Sequence, residues 1–140
     1  MADCSKARKN MVDCQIHTFG VVDPGVLEAF SAVPREMFVP DQYKTIAYND
    51  EDIPLGDGRY MLEPAVYAKM VQALELKPDD VVLEIGGGSG YGAAVLSGLV
   101  STVVVVESDA AFIERANNIW QALDLCNVAL LEGPLQVGNA

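Results

Sequence analysis

Glu84, Gly86, Gly87, Gly88 and Gly90 lie together in the stretch VVLEIGGGSGYGAAVL (81–96), and Glu107 ends the next strongly apolar run. Glycine lets a backbone turn sharply and approach a ligand with no Cβ in the way. An acid about 20 residues beyond such a turn, at the end of the following strand, can accept hydrogen bonds from the two hydroxyls of a ribose. Ser108 comes next; it is assigned to the same ligand and is expected to cap the helix that follows.

Two nucleotide cofactors compete for this pattern. A nicotinamide dinucleotide asks for GxGxxG/A. Started at Gly86, that motif puts Tyr91 where its third small residue belongs; started at Gly88, GSGYGA matches, but the loop begins late. S-adenosylmethionine favours an acid near the end of the first strand followed by GxGxG, which Glu84, Gly86, Gly88 and Gly90 supply. Charge separates the two. A pyrophosphate over the turn would be repelled by Glu84, whereas an ammonium and a sulfonium would be attracted. The expected cofactor is S-adenosylmethionine. A buried acid bonded to backbone amides stays open as the alternative for Glu84, and a tight turn without ligand as the alternative for the glycines.

The elements that must hold these residues alternate. Residues 81–85, 102–106 and 128–131 read as strands, and 91–99 and 109–123 as helices; in the latter Phe112, Ile113, Ala116, Ile119, Trp120 and Leu123 keep helical spacing. Strands so rich in valine, with little alternation, fit a parallel sheet covered on both faces. The fold class expected is therefore α/β, the first half of a doubly wound, Rossmann-like sheet. Upstream, residues 5–19 read as one helix with Met11, Val12, Ile16 and Phe19 on a face and Gly20 as its stop. Asp23 should cap a second helix, with Pro24 in its first turn and Val26, Leu27 and Phe30 facing inward. VPREMFVP reads as a short turn, and residues 47–64 as an irregular acidic segment ending in a glycine-flanked loop. A helix from Pro64 should turn Val66, Tyr67, Met70, Val71 and Leu74 inward. Composition divides the chain into an N-terminal helical and loop segment, 1–62, and an α/β part, 63–140.

With 140 residues, 51% of them hydrophobic, the chain suits one domain with a real core. Its formal net charge of −11 repels phosphate backbones, so nucleic acid is not an expected partner. Cys4, Cys14 and Cys126 are odd in number and widely spaced, which suggests reduced cysteines, a cytoplasmic location and no metal site. The N-terminus lacks an apolar signal core. The uncharged run from Ile85 to Val106 is broken by glycines and ends in four valines, so no membrane segment is expected. His17 reads as a surface or packing residue, and Asn49 to Asp52 as a solvated loop.

The stretches VLEAFSAVPREMFVP (26–40), AYNDEDIPLGDG (47–58) and VLEIGGGSGYGAAVL (82–96) resemble the protein-L-isoaspartate O-methyltransferase family in order and spacing. The resemblance implies a methyltransferase sheet and methyl transfer from S-adenosylmethionine to a carboxylate, the family's acceptor being an isoaspartyl residue of a damaged protein. Where the family's loop carries an active-site serine, this chain reads RYMLEP, with Leu62 at the serine position. That leaves no catalytic residue to carry over. Arg59 could hold a substrate carboxylate in bidentate fashion and Tyr60 could line the pocket, against plain solvated-loop and packing roles. The family's Gly-Asp-Gly after the third strand is here Gly133-Pro134-Leu135. The family also continues with further strands, so this chain is expected to be its N-terminal portion. The missing fourth strand would leave 81–85 as an unpaired apolar edge, open to self-association.

Three functions stay in contention. One is a carboxyl methyltransferase acting on a protein or peptide. Another is a catalytically silent cofactor-binding or assembly module that keeps the fold. The least favoured is a dinucleotide-binding oxidoreductase half-domain.

Overall fold

The computed structural model describes residues 3–137, which fall into two compact units that divide between Leu76 and Lys77. Composition places the division at 62/63. The observed one falls later because the helix at 64–73 packs on the N-terminal helices of the first unit.

In the first unit, α1 (Ser5–Asn10) runs on through wide π-helical turns at Met11–Ile16 and a tight 3-10 turn at His17–Phe19, where Gly20 closes it at φ +103°. Met11, Val12 and Ile16 are buried as their spacing predicts, but Phe19 is half exposed. The Lys69 ammonium sits 5.0 Å from the centre of the Phe19 ring and donates to the Phe19 carbonyl, so that ring packs under a cation rather than in the core. α2 (Pro24–Ala32) begins as expected: the Asp23 carboxylate accepts from the amides of Gly25 and Val26, and Val26, Ala29 and Phe30 are buried. VPREMFVP holds a 3-10 turn at Arg35–Phe38.

The segment expected to be irregular is a β-hairpin. β1 (Ile53–Gly56) pairs antiparallel with β2 (Arg59–Met61). Between them Asp57 and Gly58 both take positive φ, 53° and 74°, which is what a two-residue type I′ connection requires. The sequence signal was Asp-Gly itself. α3 (Pro64–Ala73) buries Pro64, Ala65, Ala68 and Val71. Met70 and Leu74, expected inside, are 55% and 60% exposed, because the small alanines are what admit the neighbouring helices closely.

Arg35 is wholly buried. Its Nε donates to the Ala47 carbonyl at 2.7 Å and its terminal nitrogen to the Leu62 carbonyl at 3.1 Å. It thus fastens the chain on both sides of the hairpin. Arg35→Met keeps much of the volume but strands both carbonyls, and should lower the unfolding free energy of this unit by about 2–3 kcal/mol in a urea titration.

Tyr48 donates to the Glu36 carboxylate and accepts from Arg8 Nε at 3.0 Å. Burial pushes its phenol well above the usual tyrosine range, and the Glu36 carboxylate pushes the same way while Arg8 opposes. Because the folded pKa is raised, the contribution is whole below the unfolded value, about 10, and is lost as pH climbs past it. Thermal stability should therefore fall more steeply above that pH in the native chain than in Tyr48→Phe, as melts across pH 9–11 would reveal.

The second unit is one parallel sheet with two helices. β3 (Val81–Ile85), α4 (Tyr91–Ser97), β4 (Thr102–Glu107), α5 (Ala110–Ala122) and β5 (Val128–Glu132) follow in order, and the sheet runs β3-β4-β5 with both pairs parallel. The core gathers Val103, Val105 and Val106 with Ala93, Val95, Leu96, Ala116 and Trp120. Asn127 donates to the carbonyls of Ser97 and Val100, tying the start of β5 to the end of α4. The expectation of a sheet covered evenly on both faces does not hold. Along β3 burial alternates: Val81, Leu83 and Ile85 are 66%, 46% and 51% exposed, while Val82 and Glu84 are half-buried. Among the described residues, no helix is long and apolar enough to cross a membrane.

Candidate cofactor site

β3 leads straight into the glycine turn, and the Gly86 amide donates to the Val106 carbonyl at 2.8 Å as the last rung between β3 and β4. Gly86, Gly88 and Gly90 have φ of 79°, 56° and 89°, a region costly for any residue with a Cβ. Gly87 is required for another reason. A Cβ there would lie inside the van der Waals envelope of Val105 Cγ1 and 3.7 Å from Glu84 Oε1. A Cβ on Gly90 would meet the Ala116 methyl at 2.8 Å and the Trp120 indole at 3.1 Å. Gly86 and Gly87 are half-buried, and Gly88 and Gly90 are buried; the missing Cβ atoms at Gly87 and Gly90 admit Val105 and α5.

Glu107 is 1% exposed at the end of β4. Its Oε1 accepts from the Gly88 amide at 2.7 Å, and its Oε2 from the amides of Ser108 and Asp109 at 2.8 and 3.0 Å. The carboxylate therefore pins the glycine turn to the strand end. Ser108 does not cap α5. Asp109 does, accepting from the amides of Ala111 and Phe112, because its backbone is extended and its carboxylate reaches back over the first turn. Ser108 instead lies on an open cleft of about 590 Å³ beyond the ends of β4 and β5, lined also by Glu132, Gly133, Pro134, Leu135 and Gln136.

Trp120, the only tryptophan, fills the core as its helical spacing predicts and also holds the turn. Its indole N–H donates to the Gly90 carbonyl at 3.0 Å from within the core. No local spacing could have revealed that contact, since the partners are far apart in sequence. Trp120→Phe keeps an aromatic ring but removes the donor. It should cost about 1–2 kcal/mol of stability and loosen the turn, read as faster amide exchange at Gly90 and Tyr91.

Glu84, the four glycines, Glu107 and Ser108 all belong to the second unit and gather around the ends of β3 and β4. Arg59 and Tyr60 belong to the first, on β2; Arg59 is half-buried and Tyr60 is 60% exposed. Leu62 follows β2, with its carbonyl taken up by Arg35.

A family model described as Protein-L-isoaspartate(D-aspartate) O-methyltransferase (PCMT) matches residues 6–139. The Protein-L-isoaspartate O-methyltransferase of Roseiflexus sp. (strain RS-1) is 43% identical over 128 residues, 91% of this chain and 58% of the relative. That of Petrotoga mobilis is 39% identical over 131 residues, 94% of this chain and 62% of the relative. A solved structure titled protein-L-isoaspartate O-methyltransferase superimposes with a TM-score of 0.81 at 29% identity, covering 94% of this chain and 43% of its own. The chain spans about half the length of the curated relatives it matches.

Proposed function

The chain belongs to the protein-L-isoaspartate(D-aspartate) O-methyltransferase family, and from that premise we propose that it forms the S-adenosylmethionine site of a cytoplasmic carboxyl methyltransferase acting on isoaspartyl residues of proteins or peptides. The observation that carries the reading is the charge around the turn. The Glu84 carboxylate lies beside Gly87 and the Glu107 carboxylate beneath Gly88, so two acids flank the exposed backbone. A pyrophosphate there would meet negative charge, while a cationic amino acid moiety is drawn in. This weighs against the dinucleotide alternative.

In this reading Glu84 attracts the ammonium, Gly86 and Gly87 offer bare backbone, and Glu107 accepts from the ribose. The cleft beside Ser108 and Gly133 takes the base; about 590 Å³ is ample for it. When bound, the cofactor supplies an electrophilic methyl group on a sulfonium. The acceptor carboxylate is ionised at neutral pH, so the chain need not provide a strong general base. What the chain must do is hold that oxygen in line and exclude water. Arg59 and Tyr60 are the residues we assign to the acceptor, with Leu62 in the place of the family's serine.

Calorimetric titration of S-adenosylmethionine, its demethylated product and a reduced nicotinamide dinucleotide into the chain tests the reading. Binding of the first two at micromolar levels, about −8 kcal/mol, is expected, with Glu84→Gln weakening both. Binding of the dinucleotide alone would overturn it. Cofactor binding without methyl transfer to an isoaspartyl peptide would favour the silent module.

A further inference from the structure

We propose that Asp57-Gly58 is a site of spontaneous backbone isomerisation, at which the aspartyl residue closes to a cyclic imide and reopens as isoaspartate. It is the one Asp-Gly pair in the sequence, which holds no Asn-Gly pair. The pair forms the tip of the β1–β2 hairpin, where the ladder closes between Gly56 and Arg59, so the Gly58 amide is no rung of it. Gly56, Asp57 and Gly58 are all exposed, and nothing lies within 4 Å of a Cβ added at either glycine. Water and a neighbouring carboxyl both have room to reach that peptide bond.

The turn geometry favours ring closure. A planar five-membered imide needs Cβ, Cα, the carbonyl carbon and the next nitrogen nearly coplanar. For an L-residue this sets ψ at about −120°, the value at the first central position of a type II′ turn. Asp57 already holds the positive φ, 53°, that types I′ and II′ share at this position. One flip of the 57–58 peptide plane carries type I′ to type II′, and both are hairpin turns whose twist suits the flanking strands. The flip takes φ at Gly58 from +74° to a negative value, which glycine adopts readily. Asp124 is the internal contrast. Its φ is +59°, but a leucine follows, and the Leu125 amide donates to the Trp120 carbonyl at 3.0 Å. That nitrogen is held away from the carboxyl.

In the closing step the Gly58 nitrogen bonds to Asp57 Cγ and gives up its proton, and the hydroxyl of the protonated carboxyl leaves as water. Nothing is oxidised or reduced and no cofactor enters, so the step is independent of the methyltransferase reading. Water then reopens the imide. Attack at Cγ restores aspartate. Attack at the main-chain carbonyl carbon routes the backbone through Cβ and Cγ, leaving the α-carboxyl as the side group and the mass unchanged. The backbone then has one more carbon between Gly56 and Arg59, and a two-residue connection no longer closes the ladder. Arg59 and Tyr60, which the methyltransferase reading assigns to the acceptor, lose their fixed place on β2.

Ageing the 140-residue chain for weeks at physiological temperature, then cutting it after lysine and arginine, tests the site. The peptide of residues 45–59 is expected to split into two chromatographic peaks of equal mass. Electron-transfer fragments should place isoaspartate at position 57 and leave Asp50, Asp52 and Asp124 as aspartate. Asp57→Glu should abolish the second peak, because a six-membered imide closes far more slowly. Asp57→Asn suits the same turn and should yield isoaspartate faster, losing ammonia in place of water. In the isomerised chain amide exchange should rise across 53–61 and stay unchanged across 81–85. A folded chain in which Asp57 stays intact overturns the proposal, and isomerisation of a free 45–59 peptide alone would trace that failure to shielding by the turn. Equal rates at Asp57 and Asp124 would overturn it as well.

Discussion

Glu107→Ala is expected to lower the unfolding free energy of the α/β unit by about 3–5 kcal/mol and to abolish measurable cofactor binding. The carboxylate is buried and accepts from the amides of Gly88, Ser108 and Asp109. Truncation leaves those donors without their acceptor in a site almost closed to water, which costs far more than one ordinary exposed hydrogen bond. Glu107→Gln should fall between, since its amide group turns a donor toward one of the same donors. Urea unfolding and calorimetry on both variants measure the effect. A loss below about 1 kcal/mol for alanine would mean that the turn holds its shape without this acid.

The second large effect is Gly90→Ala, for which a loss of about 3 kcal/mol is expected. It has two sources. At φ +89° an L-residue pays about 1–2 kcal/mol in backbone strain. The added methyl also falls 2.8 Å from Ala116 Cβ and 3.1 Å from the Trp120 ring, and packing of that kind costs a further 1–3 kcal/mol or so. Gly56→Ala is the control. Its φ is +98° but nothing lies within 4 Å of the added Cβ, so it reports the strain alone. Thermal melts of the two variants should differ by the packing component. Equal losses would show that α5 yields to the methyl and does not clamp the turn.

Much of the α/β unit is legible from local chemistry. Short apolar runs of valine, leucine and isoleucine between polar or glycine residues mark β3, β4 and β5, and the helical spacing from Phe112 to Leu123 marks α5. Glu84 and Glu107 are legible as candidate site acids from their distance to the glycines. In the first unit the cap at Asp23 can be read, since a cap depends only on its own first turn. The hairpin is harder to see because acidic composition around Asp57-Gly58 obscures the turn signal.

By itself, then, the sequence determined the order of elements in the α/β unit, a parallel sheet and a glycine turn flanked by acids, all properties of segments shorter than one supersecondary unit. The tertiary structure decided what each residue is for. It made Glu107 the anchor of the Gly88 amide, Gly87 the space that Val105 needs, and Trp120 the donor to Gly90. It drew Arg35 into the core to hold the carbonyls of Ala47 and Leu62, and left the Leu83 side chain exposed. Contacts of this kind join residues remote along the chain, and one sequence read segment by segment carries no term that couples them.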